Sequence, residues 1–193
     1  NLFKGGSKTL LKDSSVKLSN ILNSRKYKNL IFLNYAPELE KFLFWCQQLI
    51  AESLGKKNKG FLPVISNAPK DHHSLLQLYL DGPKDKIFYI FSSDNFSKIK
   101  INLSKNLNKN FFLNKKYLNE IKNAQKDSLI KVLQKKVIPF REFRIKKTDE
   151  EVIGLLFSYF IMETILIGKL TKINPFDQPA VEEVKKLTKK LLN

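Results

Sequence analysis

Gln48 and Glu52 stand four residues apart, His72 and His73 are adjacent, and Gln178 and Lys185 stand seven apart. Carboxylate, imidazole and ammonium are the groups that move protons near neutral pH, so these pairs are candidates for general acid–base chemistry. On a helix, a spacing of four places Gln48 and Glu52 one above the other on the same face. Phe44 and Trp45 precede them, and a carboxylate beside apolar and aromatic surface is suited to act as a base. His72 and His73 are the only histidines. Sequence neighbours do not share a helix face, so at most one of them points into a given site. In the first turn of a helix opened by Asp71, His73 would meet the positive end of the helix dipole, which favours neutral imidazole. Gln178 and Lys185 are two helical turns apart and share one stripe. Each pair also has an ordinary local reading: a solvated glutamate near a helix end, a loop histidine, and one lysine among Lys186, Lys189 and Lys190.

Other chemistries find less support. Two histidines and Cys46 give no zinc-type ligand spacing. Gly5-Gly6-Ser7 lacks the spacing and preceding strand of a phosphate cradle, Gly55-Lys56 is too short for a P-loop, and a serine nucleophile elbow is missing.

The elements that must position these residues alternate between strand and helix. Asn29 to Tyr35 is an apolar run with the length of a buried strand. A helix follows from Pro37 to a stop at Gly55, with Glu38 and Glu40 near its start. Phe61 to Ile65 predicts a weaker strand, and Pro63 directs it to a sheet edge or a strand start. Asp71 is expected to cap a short helix through Leu80, broken by Asp81-Gly82-Pro83. Lys86 to Phe91 is the clearest strand. Residues 93–113 read as loop-dominated, a helix is expected from about Lys115 to Lys136, and Phe140 to Ile145 is strand-like. Thr148-Asp149-Glu150-Glu151 predicts a capping box with Thr148 as the cap. The helix it opens is apolar on nearly every side from Val152 to Ile167. Glu163 interrupts that run, so a buried core helix is expected rather than a membrane span. Pro179 starts a last helix that runs to the end, and Ser7 to Leu22 forms a first one. The whole reads as one α/β domain with a mostly parallel sheet covered on both faces.

A chain of 193 residues can bury one good core. Its single cysteine, Cys46, rules out an internal disulfide and fits a reducing cytoplasm. No basic-then-apolar leader is visible, and the start at Asn1 rather than Met reads as a fragment. The net charge of +17 invites a nucleic-acid partner. Against this, the lysines are spread along the chain, with stretches such as Lys98 to Asn110 rich in Lys and Asn. Arginine occurs only at Arg25, Arg141 and Arg144. A lysine-enriched surface set by coding bias explains the charge better, and neither a nucleic-acid nor a membrane partner is expected. The positive field still favours an anionic substrate such as a sugar phosphate.

Three segments then carry a resemblance. Gln47-Gln48-Leu49-Ile50-Ala51-Glu52-Ser53-Leu54-Gly55-Lys56 comes first. His73-Ser74 follows, with Gln77-Leu78 and Asp81-Gly82-Pro83 behind it. Gly168, Phe176-Asp177-Gln178, Ala180-Val181-Glu182 and Lys185 form the tail. In this order they resemble the C-terminal half of the glucose-6-phosphate isomerase family, bacterial type, and the likeness extends over nearly all of the chain. Thr171 departs from it, standing where an apolar or aromatic residue is usual.

The resemblance implies a sugar-isomerase (SIS-type) three-layer domain over residues 1–193, the family's second, with a C-terminal helical arm. It implies Glu52 as the base that shuttles a proton between C2 and C1 through a cis-enediol. His73 would be the ring-opening group, contributed across a homodimer interface. Lys185 would act at the ring oxygen, and Gln48 and Gln178 would contact the substrate. His72 stands where many members have Gln, and the choice between the two histidines stays open. No cofactor or metal is implied. The family's first SIS domain, with its phosphate loop, and its Gly-Gly-Arg signature are absent from this sequence, so the chain alone is expected to have little or no activity. A non-catalytic SIS-type module that binds sugar phosphate is the alternative.

Overall fold

The computed structural model describes residues 5–95, 97–102 and 111–193. Four strands form one parallel sheet in the order β2-β1-β3-β4: β1 is Asn29–Asn34, β2 Leu62–Asn67, β3 Lys86–Ser93 and β4 Phe140–Ile145. Between and around them run α1 (Gly5–Ser24), α2 (Glu40–Leu54), α3 (Leu76–Asp81), α4 (Leu118–Lys135), α5 (Glu150–Thr171) and α6 (Pro179–Leu192).

Side-chain alternation along the strands explains the layers. Leu30 and Phe32 of β1, Ile87, Tyr89 and Phe91 of β3, and Ile145 of β4 face one core, which α1, α2 and α5 cover. Ile31 and Leu33 of β1 and Phe88 and Ile90 of β3 face a second core, closed by Tyr79 of α3 and Leu129 and Leu133 of α4. Every residue of β3 is buried, as a strand covered on both faces requires. The first core is rich in rings: Phe91 stacks on Phe143 at 4.6 Å, and Phe42 meets Phe157 edge-on at 5.2 Å. β2 is an edge strand, as Pro63 predicted.

The apolar helix α5 is the central helix of the first face. Among the described residues it is the one helix long and apolar enough, by length and composition, to cross a membrane. Its Glu163 is nevertheless used inside the fold. The carboxylate accepts from Arg141 Nη1 at 3.0 and 3.1 Å, from Ser14 Oγ at 2.6 Å and from the Tyr159 hydroxyl at 2.9 Å. Arg141 also donates to the hydroxyls of Tyr89 (2.9 Å) and Tyr159 (2.6 Å), and its guanidinium lies 4.8 Å from the Tyr89 ring centroid. Burial pushes the Tyr159 phenol up to about 12. One buried network thus ties α1, α5, β3 and β4 together.

Several expected boundaries move, each for a local reason. Asp149, not Thr148, caps α5: its Oδ1 accepts from Val152 N–H at 3.0 Å. Asp71 caps no helix. Its Oδ2 accepts from Ser66 Oγ (2.9 Å) and from Asn67 N–H (2.8 Å), closing the turn after β2, and α3 begins only at Leu76. α4 begins at Leu118, behind Tyr117 whose N–H donates to Glu120 at 2.7 Å. Within the segment expected to be loop, Ser93 closes β3, while Phe96 and residues 103–110 lie outside the described residues.

Candidate active site

α2 runs antiparallel to the strands, so its last turn arrives at the N-terminal edge of the sheet. Gln48 and Glu52 share a face there, as their spacing required. Gln48 Nε2 donates to Glu52 Oε1 at 3.1 Å. From the far end of the chain, Gln178 Nε2 donates to Glu52 Oε2 at 2.7 Å. Both carboxylate oxygens are therefore held by amides. The apolar setting expected for Glu52 is not found, because Trp45 turns into the core against Phe42 and Phe157, with ring centroids at 5.9 and 4.4 Å.

Two backbone turns build this corner. After α2 the chain reverses through Gly60 at φ +124°, where a Cβ would sit 2.8 Å from Gly55 Cα. After α5 the chain turns at Lys172, in the left-handed region, and Ile173 N–H donates back to Gly168 O at 2.8 Å. A side chain at Gly168 would crowd Ile173 O and Pro175 at 3.1–3.2 Å. That turn delivers Asp177 and Gln178 to the end of α2. Between them opens a cleft of about 710 Å³, lined by Glu52, Lys56, Asn58, Asp177, Gln178 and Ala180 among others. Lys56 Nζ bonds Asp177 Oδ1 at 2.9 Å, and that bond holds the Asp177 carboxyl below the ordinary carboxylate value.

The remaining candidates lie elsewhere. His73 is exposed and follows β2 at the opposite, C-terminal edge of the sheet. It closes a single 3₁₀ turn (Lys70–His72) and is not in the first turn of an α-helix, so the dipole argument for it falls away. His72 is half-buried, with Nε2 at 2.6 Å from the Tyr35 hydroxyl, and burial lowers its pKa below 6.5, with His73 adding to the shift. Lys185 projects from the exposed helix α6 and pairs with Glu182 at 2.8 Å. It does not line the Glu52 cleft. The structure thus brings Gln48, Glu52 and Gln178 together and leaves His73 and Lys185 apart from them. Two contacts had no local sequence signal, Lys56 with Asp177 and Tyr35 with His72, because each partner lies in a different element. Among the described residues no group of three His, Cys, Asp or Glu could hold a metal ion.

The chain adds β2 on one side of β1 and then β3 and β4 on the other, with helices on both faces, which defines a doubly wound α/β domain, and an amide-held carboxylate stands at its cleft. Over most of its length, the chain is homologous to a portion of the glucose-6-phosphate isomerases. It is 34% identical over 162 residues to the glucose-6-phosphate isomerase of Methanocaldococcus jannaschii, covering 84% of this chain and 40% of that one. Against the Lactobacillus helveticus enzyme it is 34% identical over 178 residues, covering 91% and 40%. The chain therefore spans about 40% of the length of these curated relatives. A crystal structure of a hypothetical protein from Thermus thermophilus superposes with a TM-score of 0.87 at 25% identity, covering 99% of this chain and 47% of that one. The fold also matches a glucose-6-phosphate isomerase from Chlamydia trachomatis, with a TM-score of 0.70 at 17% identity over 91% and 37% of the two chains. No family model matches.

Proposed function

We propose that the protein containing this chain is a glucose-6-phosphate isomerase, and that these residues form its C-terminal, second SIS-type domain with a helical arm. The observation that carries the reading is Glu52, bonded by Gln48 and Gln178 at the mouth of a cleft. Converting an aldose to a ketose needs one base that takes the proton from C2 and returns it to C1. A carboxylate with both oxygens anchored can swing little and faces a fixed reaction volume. Each glutamine amide carries two N–H donors and gives one to Glu52, which leaves one for a substrate hydroxyl.

His73 is proposed to open the sugar ring in the site of a second subunit. Its place at the opposite sheet edge from Glu52 supports this, since one chain does not bring the two side chains to one sugar. Lys185 is proposed to meet the ring oxygen: it lies on the stripe that begins at Gln178, and its partner Glu182 is an exposed one it can exchange. The enzyme then works as a homodimer on sugar phosphates in glycolysis and gluconeogenesis. A buried, unbridged Cys46 is consistent with a cytoplasmic setting. The test is a coupled assay for conversion of fructose 6-phosphate to glucose 6-phosphate by the intact protein, with and without Glu52→Gln. We expect turnover that Glu52→Gln reduces about 100-fold or more. No turnover by a folded, dimeric parent refutes the reading.

A further inference from the structure

Lys56, Lys57 and Lys59 leave α2 on one short loop and donate into the end of α5 and the turn beyond it. Lys59 Nζ donates to Thr171 O (3.0 Å) and Asn23 Oδ1 (3.1 Å), and Lys57 Nζ to Lys172 O (3.3 Å). The last carbonyls of a helix lack partners within it and form the negative end of its dipole, so the contacts to Thr171 O and Lys172 O are ordinary capping. Lys56 does something else. Its Nζ reaches past the helix to Asn174 O at 2.6 Å and to Asp177 Oδ1 at 2.9 Å, with the side chain only 11% exposed.

Asp177 is the residue before Gln178, and Lys56 stands four residues after Glu52, just past the end of α2. The same two segments are therefore joined twice, by Lys56 to Asp177 and by Glu52 to Gln178 at 2.7 Å. A single hydrogen bond from a long, half-buried amide does not fix its rotamer, because ordering a glutamine side chain costs rotamer entropy comparable to what one such bond contributes. A second, charged attachment one residue away fixes the backbone that carries the amide. We propose that Lys56 is a positioning residue that, through Asp177 and the turn at Asn174, holds Gln178 on the Glu52 carboxylate. Its catalytic consequence rests on the reading of Glu52 as the base.

The test uses the full-length protein carrying Lys56→Met, Gln178→Ala, both together, Asp177→Asn and Lys56→Arg. Lys56→Met should lower kcat about 10- to 100-fold while KM stays within about threefold, the pattern of a group misplaced by a small distance. In the Gln178→Ala background the same change should cost less than about threefold, because its effect passes through the missing amide. Asp177→Asn, at an exposed position, should reproduce a smaller loss without risk to folding, and Lys56→Arg should recover most of the activity. Losses that multiply in the double variant, or a kcat unchanged by Lys56→Met, overturn the proposal. The side-chain amide NMR signals of Gln178 in the full-length protein provide a second readout. They should move toward free-glutamine positions in Lys56→Met and Asp177→Asn but not in Lys57→Met, and unmoved signals overturn the link. If they move while the wild-type parent shows no turnover, the positioning link stands and the reading of Glu52 as a base is what fails.

Discussion

Two inactive variants of the intact protein, Glu52→Gln and His73→Asn, should regain activity when their subunits are mixed. Glu52 ends α2 beside the N-terminal edge of the sheet, while His73 follows β2 at the C-terminal edge. A six-residue strand such as β1 separates those edges. At roughly 3.3 Å per residue this is about 20 Å, beyond what two side chains of one subunit span on a single sugar phosphate. Each site of the proposed dimer then takes Glu52 from one subunit and His73 from the other. In a mixed dimer one site carries both substitutions and the other carries neither. With equal amounts and random exchange about half of the dimers are mixed, and half of their sites are intact, so recovery should reach about one quarter of wild-type activity. Each variant alone should stay at about one hundredth or less. The assay is the coupled conversion of fructose 6-phosphate after subunit exchange, with two affinity tags used in series to show that mixed dimers formed. Mixed dimers without recovered activity would refute the shared site.

Two further outcomes follow from buried groups. Glu163→Gln leaves the Arg141 charge without its carboxylate, inside a network whose Glu163 side chain is 4% exposed, and should destabilise the fold by about 3–5 kcal/mol in urea unfolding. Replacing both partners, Arg141→Met with Glu163→Leu, should recover most of that loss, and a Glu163→Gln variant as stable as wild type would show that the pair contributes nothing. His72 is held below 6.5 by burial, with His73 adding to the shift, so the folded state resists its protonation. Its contribution is complete above pH about 6.5 and is lost as pH falls below that value. Between pH of about 7.5 and 5.5, His72→Leu should therefore lose less stability than wild type, and equal losses would contradict the assignment.

Much of the layout was legible because it depends on local rules. Continuous apolar runs marked β1 and β3, Pro63 marked an edge, and β4 was bounded correctly by its composition. The cap errors at Asp71 and Thr148 share one cause. A short acidic or hydroxyl side chain next to a turn has several backbone N–H groups within reach, and the tertiary position of the preceding strand decides among them. Glu163 was read only as an interruption of an apolar helix. Tyr159 stands four residues before it in α5, but Arg141 and Ser14 come from other elements, so spacing within α5 could not reveal the whole network.

By itself the sequence determined the alternation of strand and helix, the two-faced burial of the sheet and the shared face of Gln48 and Glu52. Each of these follows from side-chain periods of 2.0 and 3.6 residues. Only the tertiary structure decided that Gln178 meets Glu52, that Lys56 meets Asp177, and that His73 stands at the other end of the sheet. The reason is topological. Parallel connections return the chain to the same edge after each strand–helix unit, so residues far apart in sequence become neighbours, while His73, one strand beyond Glu52, is carried to the opposite edge.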